Sequence, residues 1–236
     1  MRIAGFIPSR YGSTRFKAKA LADIAGKPMV IRVYENAKKA ALDDLFVLTD
    51  DQRIADICQK FNAQFLMTDP QCSSGTARIL SIINKINCDI ALNIQGDEPL
   101  VSANDLDKLI NSFEDKTMVS TLITKINKIE DITNPNIVKV ITDINDNAIY
   151  FSRSPIPYNR DKLKSTSYFQ HIGIYAYRKI TLQKFNNLKA QNLEKIEQLE
   201  QLRFLENNYK IKTVETKNIY IAVDLESDIS EVEKYL

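Results

Sequence analysis

The chain has 236 residues and a mass of 27.0 kDa, enough to bury well over half of its unfolded surface without a disulfide or metal staple. With 44% hydrophobic and 26% charged residues it is neither disordered nor collagen-like. A net charge of +2, from 32 basic and 30 acidic side chains, gives none of the basic excess of a duplex nucleic-acid binder. No apolar run of about 18 residues predicts a membrane-spanning helix.

In chain order, the N-terminal MRIAGFIPSRYG has one arginine and then a short apolar run. It lacks the longer apolar core and cleavage site of a secretory signal, and reads as a first buried strand, Ile3–Ile7, ended by Pro8. Pro28 opens a helical pattern to about Ala41, since proline is favoured at a first helical position. Leu45–Thr49 reads as a buried strand, and Asp50 or Asp51 can cap a helix with Ile54, Ile57, Cys58 and Phe61 on one face. A short strand at Gln64–Thr68, a polar turn DPQCSSG, a helix over Ala77–Ile86 and a strand at Asp89–Ile94 follow. Ser102 caps a helix bearing Leu106, Leu109, Ile110 and Phe113. Such β-then-α alternation implies a parallel sheet covered on both faces.

The second half changes character. Val119–Thr124, Ile137–Thr142, Ala148–Phe151 and Ile172–Tyr177 read as strands, with Asn145-Asp146-Asn147 as a hairpin turn. Ile196–Leu205 reads as a helix and Ile211–Val214 as a strand. NIYIAV, ending at Val223, is strand-like, and Ser227 caps a last helix. The pattern predicts one domain over 1–236: an α/β, Rossmann-like half with a mixed-sheet extension inserted before the last elements.

In open α/β sheets ligands bind beyond the carboxyl ends of the strands, and two loops stand out there. Pro8–Lys19 carries Arg10, Arg15, Lys17 and Lys19, the hydroxyls of Ser9, Ser13 and Thr14, and Gly12. Such a loop suits a polyphosphate, because charge-assisted bonds to phosphate are strong; taken alone, a solvated basic loop accounts for it equally well. It is neither a Walker loop nor a GxGxxG fingerprint. The second loop, NIQGDEP (Asn93–Pro99), can present Asp97 to a divalent cation, with Gly96 permitting close backbone approach; an acidic turn before a helix is the plainer alternative. Cys58, Cys72 and Cys88 show no CxxC spacing, and His171 is the single histidine, so neither a disulfide framework nor a His-rich metal centre is suggested. Any metal would be held by oxygens, which is magnesium-type chemistry.

IPSRYGSTR, SSGTAR, NIQGDEPL, NPNIVKVI, YFSRSPIP, HIGIYAYR and IEQLEQLR occur in this order across nearly the whole chain. The ordered set resembles the 3-deoxy-manno-octulosonate (Kdo) cytidylyltransferase family. The resemblance implies a nucleotidyltransferase fold and the magnesium-dependent reaction of CTP with Kdo to CMP-Kdo and pyrophosphate, for lipopolysaccharide synthesis. It also implies a cytoplasmic homodimer acting on small molecules, without nucleic acid or membrane. By match to its motifs, Arg10, Ser13 and Lys19 hold the CTP phosphates, helped by Arg15, with Arg10, Lys19 and Asp97 as the catalytic set. Ser74, Gly75 and Gln95 lie near the cytosine, and Asp97 and Asp224 hold the metal. Gln95, Arg153, His171, Tyr177 and Gln201 bind the sugar acid. Blander roles compete in the second half: a histidine satisfied by backbone, tyrosines alternating on a half-buried strand, and an amphipathic helix carrying Gln201.

The sequence departs from the family where Leu-Pro-Gly-Lys-Pro-Leu is usual. Here Phe16-Lys17-Ala18-Lys19-Ala20-Leu21 keeps the lysine but loses both prolines and the glycine. A left-handed residue at Ala18 would be strained. Ala77 replaces an acid, and Val223-Asp224-Leu225-Glu226 replaces Val-Asp-Thr-Pro. Two alternatives stand beside the main reading: a cytidylyltransferase for 8-amino-Kdo or another acidic sugar, and a degenerate nucleotide-binding homologue.

Overall fold

The computed structural model describes residues 1–12, 16–114, 116–163 and 166–236. Its contacts divide the chain into two compact units, Met1–Asp107 with Ile219–Leu236, and Lys108–Asn218. The first unit is therefore discontinuous, as an insertion before the last elements requires.

The first unit runs β1 (Ile3–Pro8), β2 (Asp23–Ile24), β3 (Lys27–Pro28), α1 (Met29–Ala37), β4 (Asp44–Thr49), α2 (Gln52–Lys60), β5 (Phe65–Met67), α3 (Gly75–Leu80), β6 (Ile90–Asn93) and the start of α4 (Ala103–Asn111). Its sheet is parallel in the order β6-β1-β4-β5, with Phe6 opposite Phe46 on one side and Asn93 on the other. The strands are short apolar runs because both faces are covered: α1 packs on β1 and β4, α2 on β4 and β5, and α3 on β1 and β6. Asp51 caps α2 by accepting from Arg53 N at 2.9 Å. Gly5 in β1 leaves room for neighbouring leucines; a Cβ there would stand 2.8 Å from Leu45 and 2.9 Å from Leu42.

The second unit runs β7 (Val119–Lys125), α5 (Ile129–Thr133), β8 (Lys139–Thr142), β9 (Ala148–Ser152), β10 (Phe169–Arg178), α6 (Lys179–Lys184), α7 (Asn192–Glu197), α8 (Leu202–Glu206) and β11 (Ile211–Thr216). Here β7 pairs antiparallel with β10 and parallel with β11, while β8 pairs antiparallel with β10 and β9. This is the mixed extension. The β8–β9 turn is closed by Asp143, whose carboxylate accepts from the backbone of Asn145 and Asn147, with Asp146 left-handed at φ 56°. The chain then returns to the first unit and ends with α9 (Ser227–Val232).

Several predicted elements differ. The helix expected over Ala77–Ile86 is α3, which starts earlier at Gly75 and stops at Leu80, followed by a 3₁₀ turn at Ile83–Lys85. The Ser81 hydroxyl donates to Arg78 O at 2.7 Å, a local bond that competes with helix continuation, and the isoleucine run behind it is β-branched. The helix expected over Ile196–Leu205 is broken at Gln198, which is left-handed at φ 53°. Pro28 (φ −56°, ψ 137°) flanks α1 from outside rather than opening its first turn. NIYIAV forms no strand, and Ser227 is the first residue of α9 rather than its cap.

Candidate active site

In the order β6-β1-β4-β5 the chain leaves β1 toward one side and enters β6 on the other. The loops after these neighbouring strands therefore diverge and open a crevice at the carboxyl edge. Both loops singled out in the sequence lie there. They meet closely: a Cβ on Gly96 would stand 2.6 Å from Ser9 Oγ and 2.7 Å from Pro8 O, so only glycine fits. Ser9 itself is tied down by its N–H to Leu48 O at 2.8 Å.

Three residues far apart in sequence converge in this crevice. Lys19 Nζ lies 2.7 Å from Asp97 Oδ2 and 3.3 Å from Asp224 Oδ1. Asp97 comes from the loop after β6. Asp224 is delivered by the returning C-terminal segment, where Val223 N donates to Asp97 O at 2.9 Å. Val223 and Val232 pack with Ile24 and Met29 in one apolar cluster, bordered by Phe16, Leu100, Ile221 and Ile229. The Asp228 carboxylate then accepts from Asp224 N and Leu225 N at 2.9 and 2.8 Å, turning the chain into α9. Lys19 is aimed by the residue before it: Ala18 is left-handed (φ 57°, ψ 25°), and its carbonyl accepts from Leu21 N at 2.8 Å. Glu98, beside Asp97, is buried, and one of its carboxylate oxygens has no hydrogen-bond partner. Burial first, and then Asp97, push its carboxyl well up; Lys19 pulls it back and Asp224 adds to the rise.

The third wall is the start of α3. Ser74 caps it by accepting from Ala77 N at 3.1 Å. Arg78 is buried, with its guanidinium held by Asp50 Oδ2 at 2.8 Å and Thr68 Oγ1 at 2.5 Å. Together these residues enclose a cavity of about 270 Å³ lined by Arg10, Lys19, Ser74, Gly75, Arg78, Gln95, Asp97 and Asp224, among others. Three cations and two carboxylates thus face one space large enough for a small anionic ligand.

The donor chemistry fits a magnesium ion. Both carboxylates touch one ammonium nitrogen, so their oxygens lie no farther apart than the sum of those two contacts. Magnesium takes one or two carboxylates beside substrate phosphates and keeps several waters. Among the described residues no group of three or more His, Cys, Asp or Glu side chains forms a metal site, so any such ion would depend on ligand oxygens. Cys58, Cys72 and Cys88 form no disulfide.

The structure thus brings Arg10, Lys19, Ser74, Gly75, Gln95, Asp97 and Asp224 to one cavity within the first unit. Ser13 and Arg15 lie outside the described residues. Arg153, His171, Tyr177 and Gln201 belong to the second unit. There Arg153 donates to the carbonyls of Glu197 (2.8 Å), Pro135 (3.0 Å) and Gln198 (3.4 Å), fastening the end of α7. His171 lies 3.1 Å from Thr121 Oγ1, between Phe151 and Tyr175, and burial pushes its imidazolium down to about 3. Tyr177 stacks on Tyr175. Gln201 is buried, and its amide nitrogen has no partner.

Sequence reasoning passed over Arg78 and Cys72, which also line the cavity. An arginine on the inward side of an otherwise apolar helical stretch was the available signal for Arg78. Cys72, inside a polar turn, had none.

The chain is similar to known proteins over its full length. Residues 4–213 match the family model described as Cytidylyltransferase. The 3-deoxy-manno-octulosonate cytidylyltransferase of Fusobacterium nucleatum subsp. nucleatum is 46% identical over 239 residues, covering 100% of this chain and 97% of its own length. The protein of the same name from Geotalea uraniireducens is 43% identical, with 98% of each chain covered. The structure of a CMP:2-keto-3-deoxy-manno-octonic acid synthetase complexed with CTP superposes with a TM-score of 0.94 at 37% identity, covering 100% of this chain and 98% of that one. The chain belongs to the 3-deoxy-manno-octulosonate cytidylyltransferase family.

Proposed function

We propose that this protein transfers CMP from CTP to the anomeric hydroxyl of 3-deoxy-D-manno-octulosonate, releasing pyrophosphate. The single observation that carries the reading is the convergence of Lys19, Asp97 and Asp224 on one basic cavity, in a chain similar to these relatives over its full length. The sugar hydroxyl oxygen attacks the α-phosphorus, its bond to phosphorus forms as the bond to the pyrophosphate oxygen breaks, and the hydroxyl proton passes to solvent water. Positioning and charge neutralisation dominate such transfers.

In this reading Arg10 and Lys19 hold the phosphates, with Ser13 and Arg15 extending the same loop, and Lys19 offsets charge developing on pyrophosphate. Arg78 is too buried and too committed to Asp50 to follow the ligand, so it holds the cavity wall. Ser74, Gly75 and Gln95 receive the cytosine. Asp97 and Asp224 would hold magnesium, which when bound neutralises triphosphate charge.

For the sugar acid we assign Gln95, Arg153, His171, Tyr177 and Gln201. Arg153 commits one donor from each nitrogen to carbonyls, and a guanidinium has five, so two remain for a carboxylate. His171 stays neutral and so pairs with a sugar hydroxyl rather than acting as a cation. The unpartnered amide nitrogen of Gln201 supplies another donor. A homodimer and a cytoplasmic setting complete the reading by likeness to the family; among the described residues no helix is long and apolar enough to cross a membrane.

Pyrophosphate release with CTP, magnesium and a panel of Kdo, 8-amino-Kdo and a nonulosonic acid tests it. Turnover is expected with Kdo. Turnover with another acid alone would reassign the substrate, and no CTP-dependent release would favour a non-catalytic homologue.

A further inference from the structure

We propose that Lys19 is a built-in counter-ion that keeps a divalent cation off the Asp97–Asp224 pair until a triphosphate arrives. The proposal rests on the assignment of these two aspartates as the cation's ligands. The ammonium spends two of its three donors on them, at 2.7 and 3.3 Å. Its side chain is only 15% exposed, while Asp97 and Asp224 are 30% and 40% exposed. The pair is therefore partly open to solvent, while Lys19, which touches both carboxylates, is largely shielded.

A divalent cation bound to the same oxygens would stand within a few ångströms of the ammonium. Like charges that close repel strongly wherever water is partly excluded. Two carboxylates satisfy one lysine and have too little charge left for a dication. A triphosphate changes the balance by offering Lys19 several anionic oxygens, and the flexible four-carbon stem lets the ammonium move to them. Lys19 then no longer competes with the cation for these carboxylates. The backbone on either side keeps the stem in place for this exchange: Ala18 is fixed left-handed before it, and Ala22 N donates to Lys19 O at 3.0 Å after it. Cation and nucleotide thus bind with strong positive cooperativity, and Lys19 is the residue that couples them.

The test is calorimetric titration of Mn²⁺ into the full-length protein, with and without a non-hydrolysable CTP analogue. Without nucleotide, Lys19→Met is expected to bind Mn²⁺ roughly tenfold or more tightly than wild type, as removal of an adjacent like charge implies. With the analogue present, that advantage is expected to vanish. Lys19→Gln, which keeps a hydrogen-bond donor without the charge, should behave like Lys19→Met and serves should the latter fail to fold. Equal or weaker Mn²⁺ binding by the neutral variants without nucleotide overturns the proposal. Adding Asp97→Asn to Lys19→Met should abolish the gain. If the gain survives that change, the cation assignment itself is wrong and the proposal falls with it; if neutral variants show no gain while Asp97→Asn weakens Mn²⁺ binding, only the counter-ion role fails.

Discussion

Replacing Ala18 by glycine should stabilise the protein. Ala18 sits at φ 57° and ψ 25°, directly before Lys19. An L-residue with a Cβ pays about 1–2 kcal/mol for that conformation. Glycine escapes this cost but loses roughly 0.5–1 kcal/mol through the greater freedom of its unfolded chain. The net expectation is a gain of about 0.5–1 kcal/mol. The hydrogen bonds that fix the turn, from Ala18 N to Tyr11 O and from Leu21 N to Ala18 O, are backbone bonds and survive the change. Urea melts would show a higher midpoint at unchanged slope, the mark of a pure stability change. Ala18→Val should move the midpoint down, because a β-branched residue tolerates φ > 0 least. A glycine variant less stable than wild type, or a valine variant equal to it, would refute the strain argument.

Gly96→Ala should cost about 1–3 kcal/mol and impair CTP binding, because the added Cβ meets Ser9 Oγ and the Pro8 carbonyl; thermal melts and nucleotide titration check both effects. Arg78→Met should destabilise by about 3–5 kcal/mol, since it strands the largely buried Asp50 carboxylate, whereas Arg78→Met with Asp50→Leu should recover part of that loss. His171 has a depressed value near 3 against an ordinary 6.5, so the unfolded chain takes up its proton first as pH falls. Its contribution is intact above the ordinary value and drains away between there and about 3, at no more than about 1.4 kcal/mol per pH unit, the limit for a single proton. His171→Gln should flatten that part of the stability–pH curve, and an unchanged curve would count against a buried neutral imidazole.

The sheet of the first unit was legible because its strands are short apolar runs and its helices carry apolar faces of helical period; Ile3–Pro8 and Ile90–Asn93 are predicted almost to the residue. The loops Pro8–Lys19 and Asn93–Pro99 stood out because few residue types suit a polyphosphate or a cation, whereas Asp224 entered through the family resemblance alone; Lys19, Asp97 and Asp224 do meet. Ala18 does take the left-handed conformation in which a side chain is disfavoured. Helix ends were not legible where tertiary bonds decide them. Gln198 turns left-handed in a stretch whose periodicity is helical, and there Arg153 takes the carbonyls of Glu197 and Gln198. The segment before Asp224 carries strand-like residues but finds no strand partner; its Val223 packs with Ile24 and Met29 instead. The buried pairing of Arg78 with Asp50 links residues 28 apart and leaves no local pattern to read.

The most direct test is steady-state pyrophosphate release by Asp97→Asn and Asp224→Asn, each with CTP, Kdo and magnesium, alongside circular dichroism and thermal melts. Two acids that jointly serve one triphosphate should each be indispensable. Both variants should keep the fold and lose roughly 100-fold or more in turnover, the scale of removing a key electrostatic partner of the transition state. Wild-type turnover by either variant would contradict the arrangement on which the functional reading stands.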